Sequence, residues 1–202
     1  MWKSPWWSRL ILAAALLPLV WLGWKWYHNE LGINRIEYVA RFTGSGTLRL
    51  LMITLAITPL RRIPGLNPII RFRRMLGLLT FFWGCLHGLH YFAIDAQWSW
   101  LVIREDLTIR RFFIAGMLAL LMMAPLAATS TNAAIRWMGG KRWQLLHRLI
   151  YLSAIAGVIH YAWQGKSLVR GPLYYAAILL VLLFVRVVLW SYKARRHAHA
   201  AA

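Results

Sequence analysis

Four of the seven histidines of this 202-residue chain, His87, His90, His147 and His160, fall inside long apolar stretches, two of them in the run CLHGLHYF at residues 85–92. An ionisable side chain within a lipid-spanning segment is costly and ordinarily faces the interior of a helix bundle, so each is a candidate functional position. Two neutral imidazoles on facing helices at one depth can hold a b-type haem iron from both sides, with apolar side chains enclosing the macrocycle. Three other chemistries are open to such residues: hydrogen bonding across helices, a proton relay, or a zinc cage. A relay lacks its usual intramembrane carboxylates, because Asp95 stands at a span end, and no acidic residue joins the histidines at depth to complete a cage.

The elements that must position these histidines are helices. The chain is 60% hydrophobic, and its apolar stretches run to roughly 18–20 residues, enough to cross a hydrocarbon core. Hydropathy gives six spans: Leu10 to Tyr27, Leu48 to Leu60, Met75 to Ile94, Phe112 to Ala128, Trp143 to Trp163, and Pro172 to Trp190. The second is short and carries Arg49, so it is expected to begin near Thr43 with that arginine snorkelling to the surface. The first follows Lys3 and Arg9 as a signal peptide would, but WKWYHNE comes after it in place of a small-residue cleavage site, so a retained helix is expected. The expectation is an all-α polytopic membrane protein, one six-helix bundle over residues 1–202 without a soluble domain.

A net charge of +19 could suggest nucleic acid, but the cations sit at the ends of apolar segments, where membrane topology and lipid account for them. On the side shared by the termini lie Lys3, Arg9, Arg61, Arg62, Arg71, Arg73, Arg74, Arg136, Lys141, Arg142, Lys193, Arg195 and Arg196. The opposite side has only Arg35, Arg41, Arg104, Arg110, Arg111, Lys166 and Arg170, together with all five acids, Glu30, Glu37, Asp95, Glu105 and Asp106. The positive-inside rule then places both termini in the cytoplasm. Trp98, Trp100, Trp143, Trp163 and Trp190 stand at span ends, where indoles anchor at the interface.

The third and fifth spans run in the same direction, so depth follows from counting at about 1.5 Å per residue. From Arg74, His87 lies roughly 20 Å in and His90 about 24 Å; from Arg142, His147 lies about 8 Å in and His160 about 27 Å. His160 with His87 or His90 would hold an outer haem; His147 would hold an inner one, with no evident second ligand. On a straight helix His147 and His160 point some 140° apart, for which Gly157 offers a local distortion. Tyr91 is a polar neighbour for His87, His28 is interfacial, and His197 and His199 belong to a solvated tail. Cys85 has no cysteine partner and is expected to pack in its span. The GSG at 44–46 has neither the preceding strand nor the third glycine of a dinucleotide fingerprint and reads as a loop, so nicotinamide chemistry is expected to come from a partner.

RRMLGLLTFFWGCLH entering the third span, TPLRR closing the second, and WQLLHRLIYL followed by IHYAW in the fifth together resemble the MsrQ family, also called YedZ, over nearly the whole chain. These are haem-binding membrane subunits of the bacterial periplasmic methionine-sulfoxide reductase system, within the ferric reductase-like transmembrane domains shared with NADPH oxidases. The resemblance implies an inner-membrane subunit with one or two b-type haems on His87, His147 and His160, His90 lying outside the family pattern. It implies electrons from a cytoplasmic flavin reductase or the quinol pool, delivered to a periplasmic molybdenum-cofactor subunit that repairs oxidised methionine. FMN is associated with the family, without residues here to place it. For inner propionates Arg73, Arg74 and Arg148 are candidates, and Lys166 and Arg170 for outer ones; the basic run RRIPGLNPIIRFRR suits an acidic reductase or anionic lipid. The competing functions are a self-sufficient ferric reductase or quinol oxidase, and a haem-free transporter or proton channel lined by the histidines.

Overall fold

The computed structural model describes residues 5–164 and 170–200. Lys3 and Lys166 lie outside them, as do the side chains of Lys193, Arg195, Arg196, His197 and His199. The described residues form helices and no strands: α1 (Pro5–Tyr27), α2 (Arg35–Leu60), α3 (Arg73–His90), α4 (Trp100–Ile109), α5 (Arg111–Ala128), α6 (Asn132–Met138), α7 (Gly140–Leu146), α8 (Leu149–Gln164) and α9 (Arg170–Ala200). A 3₁₀ turn, Asn67–Phe72, leads into α3, and a π-helical turn, Tyr91–Asp95, follows it. Five segments are long and apolar enough to cross a membrane: Trp6–Tyr27, Asn67–Asp95, Arg111–Ala128, Gly140–Gln164 and Arg170–Tyr192.

The second expected span differs. α2 starts at Arg35, capped by the Asn34 side chain, which accepts from the Glu37 N–H at 3.1 Å. Its first two turns carry Arg35, Glu37 and Arg41, so the helix is long but polar at that end. Arg49 therefore stands mid-helix rather than near a surface end, and donates to the Tyr175 hydroxyl of α9 at 3.3 Å. GSG is also inside α2 rather than in a loop. Glycine costs roughly 1 kcal/mol against alanine in a helix interior, and the return is close approach: a Cβ on Gly46 would lie 2.1 Å from the Trp83 ring. Trp83 is buried there and donates its indole N–H to the Ala15 carbonyl at 3.1 Å, tying α1 to α3. Cys85, expected to pack, is exposed.

The core is four helices in antiparallel pairs. α2 runs against α3, with Thr43 beside His87 and Thr54 beside Thr80 (3.3 Å between hydroxyls). α5 runs against α8, where small residues let the backbones approach, as is usual within membranes: Ser153 is wholly buried and donates to the Ala119 carbonyl at 2.9 Å. Gly84 and Gly88 of α3 receive Leu120 and Met123 of α5 and join the pairs. α3 and α8 thus run in the same direction, as their sequences required.

The fifth expected span is one membrane-length segment but two helices. Arg148 N–H bonds the Leu145 carbonyl and Tyr151 N–H the Arg148 carbonyl, both i to i−3 contacts that tighten the chain at His147–Arg148. The break lies there, rather than at Gly157, and removes the geometric difficulty of a single straight helix carrying His147 and His160.

A half-buried charged residue, Arg186 of α9, ties α9 to the bundle. Pro59 has no N–H, so the Leu55 carbonyl one turn earlier loses its helical partner. Arg186 Nη2 donates to that carbonyl at 2.5 Å, and Nη1 donates to the Tyr151 hydroxyl of α8 at 2.6 Å. Changing Arg186 to Met leaves both acceptors unpaired and is expected to cost about 1–3 kcal/mol of stability, read as a lower unfolding midpoint in detergent. In a Pro59→Ala background the new N–H takes the Leu55 carbonyl, so the same change should cost less. Equal costs in the two backgrounds would contradict the assignment.

A candidate haem site between α3 and α8

His87 and His160 meet across the bundle. Their ring centroids are 6.0 Å apart and their planes cross at 74°. A metal held between two imidazoles by bonds of about 2 Å sits about 3 Å from each ring centroid, so a shared metal requires centroids about 6 Å apart. The pair stands in a cavity of about 640 Å³ whose wall also includes Gly44, Gly116, Met123 and Gly157. That volume lies within the roughly 300–1,000 Å³ of ordinary cofactor and ligand pockets.

Each ring is held by the helix beside it. His160 Nδ1 is 2.7 Å from the Phe112 carbonyl. A carbonyl can only accept, so Nδ1 carries the proton. His87 Nδ1 is 3.2 Å from Thr43 Oγ1. Thr43 spends its own proton on backbone carbonyls, with Val39 O at 2.8 Å, so His87 Nδ1 again donates. In both neutral rings the lone pair is then left on Nε2, the arrangement by which a backbone or hydroxyl acceptor fixes the tautomer of a metal-binding histidine. Two glycines make room. A Cβ on Gly116 would fall 2.6 Å from His160 Nδ1, and one on Gly44 would fall 3.0 Å from His87 Cε1. Donor set, spacing and glycine cradles therefore fit a metal tetrapyrrole with two nitrogen ligands.

The other sequence candidates divide by end. His90 lines the same cavity, and its Nε2 is buried without a hydrogen-bond partner. Tyr91 also lines it, but its hydroxyl donates to Asp106 at 2.7 Å rather than to a histidine. Asp106 is buried on α4 and also takes Arg110 at 3.0 Å, which pins α4 beside the cavity mouth. His147 does not join the pair: it sits at the α7–α8 break, stacked on Trp143 with centroids 3.8 Å apart. Its Nε2 is 3.1 Å from Thr129 Oγ1. Arg73 and Arg74 lie close enough to His147 to act on it electrostatically, Arg148 follows it in the turn, and Arg74 donates to Asn132 at 2.8 Å. Arg170 opens α9 at the surface, and His28 is exposed against Trp24 and Tyr27.

Sequence reasoning did not reach Thr43, the Phe112 carbonyl, Gly44, Gly116 or Arg186. Gly116 carried a readable signal, since a lone glycine inside an apolar helical run can mark a close approach; Gly44, among Thr43, Ser45 and Thr47, carried none. The Phe112 carbonyl carried none.

An all-helical chain with several membrane-length segments and two facing histidines on parallel helices falls in a known class. Residues 11–158 match the family model described as the ferric reductase like transmembrane component. The chain is 44% identical over 93% of its length to a Ralstonia nicotianae protein, and to 87% of that protein's length, whose name is "Protein-methionine-sulfoxide reductase heme-binding subunit MsrQ". Proteins of the same name from Herminiimonas arsenicoxydans (43% identity, 96% of this chain and 90% of the relative) and Polaromonas naphthalenivorans (45%, 93% and 86%) are comparably similar. The chain belongs to the MsrQ family of ferric reductase-like transmembrane proteins.

Proposed function

We propose that this chain is the haem-binding membrane subunit of a methionine-sulfoxide reductase system and conducts electrons across the bacterial inner membrane. The observation that carries the reading is the His87–His160 pair, 6.0 Å between centroids on parallel helices, with both Nδ1 atoms held by the chain. A b-type haem bound there would supply one-electron chemistry, its potential set by its ligands and burial. His87 and His160 would hold it through Nε2, Thr43 and the Phe112 carbonyl hold the rings through Nδ1, and Met123, Leu120 and Phe113 of the cavity wall would exclude water. Neutral ligands keep reorganisation small as charge comes and goes.

In this reading α2 is a sixth crossing, its polar first turns lying in the outer interface, and both termini are cytoplasmic. Six crossings bring the His87–His160 level near the outer face, beside α4, and leave His147, Arg73, Arg74 and Arg148 near the inner one. His147 has its Nε2 on Thr129, so the reading rests on one haem at the outer site; the inner arginines serve lipid or a reductase. Electrons enter from a cytoplasmic flavin reductase or quinol and leave to a periplasmic molybdenum-cofactor methionine-sulfoxide reductase; the relatives' names support the methionine-sulfoxide reductase, and the donor, compartments and molybdenum cofactor are what the family resemblance implies. FMN is implied by the resemblance alone and has no part in the site described.

Stopped-flow mixing tests this assignment. The reduced subunit is expected to reoxidise rapidly when mixed anaerobically with its periplasmic reductase partner and methionine sulfoxide, and slowly when either is left out. Reoxidation at one rate in all three mixtures would contradict it.

A further inference from the structure

A second, open cavity adjoins the histidine site at the end of the bundle that the proposed function turns outward. Its volume is about 370 Å³ and its wall is Ile109, Arg110, Arg111, Phe112 and Trp163, drawn from the α4–α5 junction and the end of α8. Phe112 lines both cavities. Its carbonyl is 2.7 Å from His160 Nδ1, and its ring centroid is 6.0 Å from that of His160. An occupant of the outer cavity is therefore one residue away from a ligand ring. The wall is also unbalanced in charge, with two guanidiniums and no carboxylate. The buried Asp106 takes Arg110 Nε on one oxygen at 3.0 Å and the Tyr91 hydroxyl on the other at 2.7 Å, so both of its oxygens are engaged. Arg111 is exposed, and the described residues give it no ion pair.

Arginine and tryptophan are the residues most enriched among the energetic anchors of protein interfaces, and here they share one pocket, with Trp163 still 55% exposed. Guanidinium forks match carboxylates, and clustered arginines are a recurring means of capturing acidic side chains. A lipid phosphate would need the cations alone; the aromatic wall and the place beside His160 suit a protein that must come close to receive an electron. We infer that this pocket docks a carboxylate of the electron-accepting protein, an Asp or Glu side chain or a chain end, held by Arg111 and Arg110 against Trp163. The inference rests on the electron-conduit reading above and names the contact by which that reading's acceptor is placed. Docking makes and breaks no covalent bond, and the one electron that passes is lost by the bound haem and gained by the acceptor.

The experiment measures the affinity of the full, haem-loaded chain in detergent for its purified periplasmic reductase partner, beside anaerobic reoxidation by that partner and by a small uncharged oxidant. Arg111→Glu should weaken the complex by at least about tenfold, the scale of a charge-assisted hydrogen bond, and slow reoxidation by limiting partner to match. Arg111→Gln and Trp163→Ala should weaken it in the same direction. Arg104→Glu, an equal change of charge on an exposed α4 residue outside the pocket, should leave it nearly unchanged. The low-spin spectrum and the rate with the small oxidant should be those of the wild type throughout. Wild-type affinity in both Arg111 variants, the result if the pocket holds only a lipid phosphate, would overturn the inference while the partner still reoxidised the subunit. Loss of the low-spin spectrum on changing Arg111 would overturn it as well, since the residue would then act on the haem site. If the partner neither binds nor reoxidises the wild type, the conduit reading fails and the inference fails with it.

Discussion

His160→Ala and His87→Ala each strip the chain of bound haem, with haem per purified chain falling by at least about tenfold. Loss of an outer-shell partner alone typically costs 10–100-fold in metal affinity, and these variants remove the ligating nitrogen itself. The two should behave alike, because the rings face each other across one cavity, 6.0 Å between centroids. His90 lines the same cavity, but three residues beyond His87 on α3, it faces about 60° away around the helix. His90→Ala should therefore retain haem, and so should His147→Ala, whose ring lies at the other end of α8 against Trp143 and Thr129. Absorbance of purified protein, normalised to peptide, gives all four values. Retention of full haem by His160→Ala would be incompatible with the site.

Gly116→Ala should empty the site almost as completely while leaving the bundle folded. The added methyl would stand 2.6 Å from His160 Nδ1, 2.9 Å from Cε1 and 3.2 Å from Cγ. Contact reaches to the root of the ring, so rotation about the outer bonds gives no escape. The ring cannot simply slide, because Nδ1 is held 2.7 Å from the Phe112 carbonyl. Relief requires that bond to break and the ring to swing, which carries Nε2 away from the His87 axis. Gly44→Ala meets the nearer edge of His87 at 3.0 Å, a milder collision, and should weaken binding less. The expected order is wild type above Gly44→Ala above Gly116→Ala in haem per chain, with unchanged elution and helical circular dichroism. Full occupancy in Gly116→Ala would show that the ring's placement against α5 is not what holds the site.

Much of this was legible in the sequence, for physical reasons. A span that must satisfy its own backbone in lipid can only be helical, and its direction follows from the basic residues at its ends. The shared direction of α3 and α8 followed from counting spans, but counting depth put His90, about 24 Å in, nearer than His87, about 20 Å in, to His160 at about 27 Å, and left the choice between them open. What failed was whatever averaging hides. Arg186 disappears within the mean hydropathy of α9, and its reason, the carbonyl freed by Pro59, lies on another helix. GSG was misread as a loop because glycine in a helix looks like a defect until its neighbours, Trp83 and His87, are in place. The break at His147–Arg148 has no proline or glycine to announce it and is visible only in its shortened hydrogen bonds. Thr43 and the Phe112 carbonyl act through tertiary contacts that no single-chain pattern encodes.

Electron paramagnetic resonance of the oxidised, purified protein at low temperature addresses the central claim most directly. Two imidazoles on one ferric iron give a low-spin signal, and planes crossing near the 74° found here make it strongly anisotropic. The account predicts that signal in the wild type and in His90→Ala and His147→Ala, and its loss in His87→Ala and His160→Ala. A high-spin signal in the wild type, or a low-spin signal that survives removal of both His87 and His160, would contradict it.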